Sequence, residues 1–247
     1  MPDRGQEFAV APEDFDFEAL YQGKPPMAGV EFGTDVAPWD IGEPQPAVVE
    51  LEANGQLRGE VLDAGCGLGD NAIFLAGRGY RVTGFDAAPT AIAQARERVA
   101  ARGVDVTFVV ADATRLDGFE QRFHTVLDSA LYHCLSDPQR SDYAAALHRV
   151  THPGAQLHLF CFSDTESQGI RMPNQVSQDD LRTHLGAHWD IDSIKLTHYA
   201  SSFNREFLER RGNHALGPLI DIDINALSTD ERGRITVAVW QLHAVRR

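Results

Sequence analysis

Val61-Leu-Asp-Ala-Gly-Cys-Gly-Leu-Gly69 is the stretch on which the fold turns. A short apolar run stops in a glycine cluster, where backbone can turn tightly and come close to a ligand, as at a strand that feeds a helix. Read outward, the run Glu60 to Asp63 is a first strand and Asn71 to Ala76 the helix after it. Arg81 to Phe85 and Val106 to Val110 are strands two and three. Between them a helix opens at Pro89, shows Ile92, Ala95 and Val99 on one face and stops at Gly103. Thr125 to Asp128 is strand four, and Asp137 with Pro138 is expected to cap a helix to about Val150. Pro153-Gly154 turns the chain into strand five, Leu157 to Phe162, and Ser177-Gln-Asp-Asp180 reads as a capping box for a helix through Leu185. Strands near Ile191 to Thr197 and Ile235 to Leu242 close the sheet. Apolar runs alternating with helical periodicity spell an α/β fold with a parallel sheet and crossover helices.

An arm, residues 1–45, precedes the helix Pro46 to Asn54, and carries Phe15, Phe17, Tyr21 and Trp39 in acidic sequence. Residues 46–247 form the main domain, with an insertion at about 199–233 between its last two strands, a length typical of lids and contact loops. The chain has 247 residues, 43% hydrophobic and 23% charged, enough for one sizeable core. Its formal net charge of -14 repels a polyphosphate backbone or an anionic membrane, so neither nucleic acid nor membrane is an expected partner. Cys66, Cys134 and Cys161 show neither disulfide nor metal-ligand spacing, no metal is expected, and a reducing cytoplasm suits them. Acids such as Asp14, Asp16 and Glu18 stand where a signal peptide needs an apolar run. No particular oligomeric state is signalled.

The glycine loop implies a nucleoside-type ligand, and its charges select among them. A dinucleotide loop would place its third glycine at position 70, but Asp70 stands there, and Asp63 lies two residues before Gly65. Two carboxylates repel a diphosphate and suit a cation. S-adenosylmethionine is such a cation, with a sulfonium, an ammonium and no phosphate. Asp86, 21 residues after Gly65, follows strand two, where an acid accepts both ribose hydroxyls. Asp112 ends strand three, able to accept from an adenine amino group while Ala113 offers its amide. Asp128 ends strand four, beside the expected transfer position. Gly65, Cys66, Gly67, Gly69, Asp70, Asn71 and Ala87 belong to the same cofactor set.

These segments resemble the class I S-adenosylmethionine-dependent methyltransferases over about residues 45 to 163. Val61 to Gly69 matches the first motif, Gly84-Phe-Asp86 the second and Ala111-Asp-Ala113 the third. Pro38-Trp-Asp-Ile-Gly-Glu-Pro-Gln-Pro46 resembles the Pro-Trp-Asp-x-Gly signature of thiopurine and halide/thiol methyltransferase-like enzymes. Val176-Ser-Gln-Asp-Asp180 and Cys161-Phe-Ser-Asp164 are similar to the actinobacterial branch that methylates heteroaromatic toxins such as hydroxyquinolones. The resemblance implies a Rossmann-like seven-stranded, mostly parallel sheet with an antiparallel last strand, helices on both faces and the arm as a lid. It implies that Trp39 helps enclose the cofactor.

Methyl transfer is an in-line displacement that needs positioning and dryness above all. A neutral acceptor would profit from a base, and His133, in the loop after strand four, is the candidate; Phe17, Tyr21, Tyr132 and His133 are expected to line the acceptor side. The expectation is methyl transfer to oxygen, sulfur or ring nitrogen of a small, aromatic or heterocyclic molecule, in detoxification or natural-product tailoring. The alternatives are an NAD-dependent oxidoreductase and a non-catalytic S-adenosylmethionine-binding regulator. Strand four lacks the Asn/Asp-Pro-Pro-Tyr pattern of macromolecular amino-group methylation.

Overall fold

The computed structural model describes residues 14–27, 37–165, 169–211 and 221–247; the remainder of the arm and of the insertion lies outside the described residues. Strands β1 (Glu60–Ala64), β2 (Arg81–Asp86), β3 (Val106–Val110), β4 (Phe123–Ser129) and β5 (Thr151–Phe162) run parallel. A two-residue strand β6 (Ile170–Arg171) pairs with β8 (Asp221–Ile222) apart from the main sheet. The main sheet is completed by β7 (Trp189–Asn204) and β9 (Arg234–Arg246), in the order β3-β2-β1-β4-β5-β9-β7. Only β9 runs against its neighbours β5 and β7. The strand order reverses between β1 and β4, and at such a switch point the loops splay apart to leave a crevice at the C-terminal edge.

The helices divide between the two faces. On one face α2 (Pro46–Ala53), α3 (Asp70–Gly77) and α4 (Pro89–Arg102) bury Val48, Leu51, Ile73, Leu75 and Ile92 against Val61, Val82 and Phe108. On the other, α5 (Asp137–Val150) and α6 (Gln178–Leu185) bury Tyr143, Leu147, Leu181 and Leu185 against Leu62, Phe85, Val126 and Trp240. Val61 and Leu62 go to opposite faces because side chains alternate along a strand, and both faces of a parallel sheet are covered. In the arm, α1 (Phe17–Tyr21) is capped by Asp16, whose carboxylate accepts the Ala19 amide.

Local expectations shift in three places. The cap of α5 is Ser136, not Asp137: its amide donates to Gln139 Oε1 at 2.9 Å in a capping box. Strand β5 begins at Thr151, before Pro153-Gly154, and its pairing with β4 slips between Phe123 and Thr125 to absorb that turn. Strand β7 continues to Asn204 through an irregularity after Ala200, so the segment between the last two strands starts at residue 205, in α7 (Arg205–Arg211), instead of 199. Among the described residues no helix is long and apolar enough to cross a membrane.

Leu62 is fully buried at the centre of the sheet, whereas Leu196, on the edge strand β7, is 49% exposed. Replacing Leu62 by Ala is expected to lower the unfolding free energy by about 2–5 kcal/mol, and Leu196 by Ala to stay within about 0.5 kcal/mol, in urea melts.

Candidate active site

The crevice beside β1 holds two joined spaces. A polar cleft is lined by the loop Gly65–Asn71 and by Asp40, Glu43 and Gln45. Beside it lies an apolar cavity of about 240 Å³ whose walls include Phe15, Phe17, Tyr21, Phe85, Phe162 and Met172. Trp39, Gly65, Ser129 and Tyr199 border both.

The loop has its shape because side chains are missing from it. Gly67 and Gly69 have φ of +51° and +84°, and a Cβ would lie 2.8 Å from Tyr21 Oη at the first and 2.5 Å from Phe108 Cζ at the second. Cys66 donates its amide to Phe85 O at 2.8 Å, and Gly67 donates to Asp86 Oδ2 at 2.9 Å, which tie the loop to the end of β2. Asp86 Oδ1 accepts the Ala88 amide, so each of its oxygens keeps a lone pair for a ligand while the carboxylate lines the apolar cavity. Burial raises the Asp86 pKa.

Asp63 is the unpaired element. It is 1% exposed, and neither carboxyl oxygen has a well-formed hydrogen-bond partner. Burial pushes its pKa up to about 8, and the nearby Asp128, Asp86 and Asp70 add to the rise. It sits behind the loop, lining neither space.

The arm is clamped over this edge. Arg98 of α4 bridges Asp40 at 2.9 Å and Asp70 at 2.5 Å, so Asp70 pins the arm to the loop. Glu43 accepts from Arg232 and Arg234. Gln45 exchanges hydrogen bonds with the Ala200 backbone, and its amide donates to Asn71 Oδ1. That bond orients Asn71 so that Nδ2 donates to Ser129 Oγ, which is hydrogen-bonded in turn to Tyr199 Oη. Near α1, Glu18 accepts the Thr90 amide and hydroxyl at the start of α4, and Trp39 Nε1 donates to Tyr21 Oη at 3.0 Å.

Of the residues expected from sequence, Trp39, Gly65, Cys66, Gly67, Gly69, Asp70 and Asn71 line the polar cleft, and Phe17, Tyr21, Asp86, Ala87, Ala113 and His133 the apolar cavity. Three do neither. Asp128 is wholly buried: Oδ1 accepts the Leu131 and Tyr132 amides and Oδ2 the Tyr143 hydroxyl at 2.9 Å, so it closes a turn instead of facing the crevice. Tyr132 is also buried, its hydroxyl donating to Asp180 at 3.0 Å under the Arg140 guanidinium. Asp112 is exposed and holds the Thr114 amide and hydroxyl on one oxygen.

His133 stacks on Phe162 with ring centroids 3.8 Å apart, and its Nδ1 accepts the Phe162 amide at 3.3 Å. Burial, with the Arg140 charge, lowers its pKa to about 3, which weakens it as the base the sequence suggested. Sequence reasoning missed Ser129, Phe162, Tyr199 and Phe203. The last two come from β7, which no motif announces, and a strand-period pattern alone does not show which face will meet a crevice.

A Methyltransferase domain family model matches residues 61–154. A 2-heptyl-1-hydroxyquinolin-4(1H)-one methyltransferase of Mycobacteroides abscessus is 39% identical over 180 residues, covering 72% of this chain and 78% of its own. A solved structure concerned with conversion of a disulfide bond into a thioacetal group during echinomycin biosynthesis is 36% identical, with a TM-score of 0.73, covering 93% of this chain and 91% of that one. The magnesium protoporphyrin IX methyltransferase of Synechocystis, solved with bound SAM, shares the fold at a TM-score of 0.53 and 23% identity, covering 81% of this chain and 76% of that one.

Replacing Tyr143 by Phe leaves Asp128 Oδ2 without its donor and is expected to cost about 1–3 kcal/mol of stability. Because the Asp128 pKa is near 7, the deficit should grow as the pH rises past that value and shrink below it, as urea melts across pH would show.

Proposed function

The chain belongs to the class I S-adenosylmethionine-dependent methyltransferases, and from there we propose that it methylates oxygen, sulfur or a ring nitrogen of a small aromatic or heterocyclic molecule, as a cytoplasmic enzyme of detoxification or natural-product tailoring. The observation that carries this reading is the junction. A polar cleft at the glycine loop meets an aromatic-walled cavity at Trp39, Gly65, Ser129 and Tyr199, so a charged cofactor and a flat apolar acceptor would touch only there. The quinolone activity of the Mycobacteroides abscessus relative supports a planar heteroaromatic acceptor.

The residues present suit the cofactor. A Cβ at Gly67 or Gly69 would strike Tyr21 or Phe108 and push the loop out of its shape, and the Asp63 carboxyl behind the loop, without a well-formed hydrogen bond, would gain an ionic partner from a cation bound in the cleft. Asp86 would accept the ribose hydroxyls, the Ala113 backbone would meet the adenine, and the loop Gly65–Asn71 would hold the amino-acid end. S-adenosylmethionine, when bound, supplies a methyl group on a positively charged sulfur. Trp39, Tyr21 and Phe17 would cover the reacting atoms and keep water out, so that neither reactant is solvated during displacement. Family membership leaves the NAD-dependent alternative without support.

Labelled S-adenosylmethionine offered with hydroxyquinolones, phenols, arenethiols and iodide should mark the aromatic acceptors; transfer to iodide alone would overturn the acceptor class. Replacing Asp86 by Asn is expected to weaken S-adenosylhomocysteine binding at least about tenfold in calorimetry, since charge-assisted hydrogen bonds are lost.

Asp63 gives a further handle. An acid whose folded pKa is raised stabilises the fold at low pH and loses that contribution as the pH climbs through the folded value, here about 8. At neutral pH the carboxyl is therefore mostly protonated, and an ammonium group arriving in the cleft would ionise it. Binding of S-adenosylhomocysteine near pH 7 should release protons, read as a heat that varies with the ionisation enthalpy of the buffer. Asp63→Asn should remove that variation, and a buffer-independent heat in the unmodified protein would refute it.

A further inference from the structure

On the small-acceptor reading just given, an acceptor hydroxyl or thiol must lose a proton before or during transfer. A side chain that took it would have to line the cavity, arrive unprotonated and be basic enough near neutral pH. The cavity lining offers His133, Asp86, Tyr21, Tyr199 and Cys134, and the adjoining cleft adds Cys66 and the acids Asp40, Glu43 and Asp70, which are paired with Arg98, Arg232 and Arg234. Burial pushes both tyrosine hydroxyls and both thiols well up, so these four arrive as donors. Asp86 is held by the Gly67 and Ala88 amides at the ribose end. Behind the walls, Asp128 is engaged by Leu131, Tyr132 and Tyr143, and Asp63 lines neither space.

His133 remains, and its geometry fixes where its proton sits. The Phe162 amide can only donate, so Nδ1, which accepts it, is bare and the neutral ring carries its proton on Nε2. Stacking on Phe162 holds the ring in that orientation. Nε2 has no hydrogen-bond partner among the described residues, and the ring lines the cavity. Towards an acceptor, His133 therefore offers an N–H, and Arg140 behind it adds a positive charge that disfavours a second proton.

We propose that His133 is a specificity-determining hydrogen-bond donor which selects acceptors bound as anions, namely acidic hydroxyls or thiols conjugated with an aromatic ring that have already released their proton to water. The acceptor's lone pair then forms the new bond to the methyl carbon, the carbon–sulfur bond breaks, and its electron pair stays on sulfur. Anion and sulfonium are neutralised together, no proton changes hands in the step, and the product is an uncharged ether or thioether. Charge disappears as the bond forms, which a cavity walled by aromatic side chains favours over water.

The test combines a signature of the ring with a probe of the cavity. In protein labelled with nitrogen-15 at histidine, His133 should show a bare Nδ1 and a protonated Nε2, unchanged between about pH 5 and 9. With S-adenosylhomocysteine present, added 4-nitrophenol should bind as its coloured anion at a pH where the free phenol is mostly protonated. His133→Phe should abolish that shift and raise the dissociation constant about tenfold or more, whereas His133→Gln, which keeps an N–H, should stay within about threefold of the unmodified protein. In turnover, the pH profiles for 4-nitrothiophenol and 1-hydroxyquinolin-4-one should each inflect at the acceptor's own pKa, and His133→Phe should raise KM more than it lowers kcat. A proton on Nδ1, an inflection common to both acceptors, or a glutamine variant as impaired as the phenylalanine one would overturn the proposal. Failure of S-adenosylhomocysteine to bind would instead strike the reading of the previous subsection, and the nitrogen resonances in the free protein would still decide the role of His133.

Discussion

The structure depends on a carboxyl that the fold buries without a well-formed hydrogen bond. Asp63, near the end of the central strand β1, has no well-formed hydrogen bond within the protein, and three other acids raise its pKa further. An unsatisfied buried polar group costs about 1–3 kcal/mol, and more when it is charged, so a fold keeps one only where something else makes use of it. A cation in the adjoining cleft is the simplest relief. The neighbouring glycines let the loop turn beside that strand end, since a Cβ at Gly65, Gly67 or Gly69 would strike Leu131, Tyr21 or Phe108.

Around that point the molecule separates two kinds of chemistry. The polar cleft is held open by charged clamps, Arg98 between Asp40 and Asp70 and the Arg232/Arg234 pair on Glu43, which fix the arm to α4 and β9. The apolar cavity is built from rings of the arm and of the strand ends, where dispersion and burial dominate around the Asp86 carboxylate. Displacement at a methyl group asks for little more than alignment and dryness, and the aromatic cover formed by Phe17, Tyr21 and Trp39 contributes to both. Burial removes histidine, tyrosine and cysteine in such walls as proton acceptors; both thiols turn to backbone carbonyls and Tyr199 to Ser129, which leaves the His133 N–H for a ligand.

The legible part of the site was the part written as spacing. The loop Gly65 to Asn71, Asp86 after β2, and the aromatic residues of the arm all line the crevice as the strand register implied. The misread residues share a cause. Asp112 and Asp128 follow strand ends just as Asp86 does, but Asp128 is wholly buried with both oxygens engaged by Leu131, Tyr132 and Tyr143, and Asp112 turns outward and holds Thr114, a difference that spacing does not reveal. Tyr132 falls on the inward side of a short helical turn, against Arg140 of the next helix and Asp180, 48 residues on. Tyr199 and Phe203 enter because β7 extends past Thr197 alongside β9.

Sequence by itself determined the α/β class, the position of the crevice and the sign of the charge it accepts, because hydrophobic period, glycine placement and carboxylates at strand ends are local properties of the chain. The tertiary structure alone decided which of those carboxylates stay free, which aromatic rings meet across the cavity, and that His133 carries its proton on Nε2. The first rests on competition within each turn, and the other two on contacts whose partners lie many residues away; neither composition nor spacing specifies either.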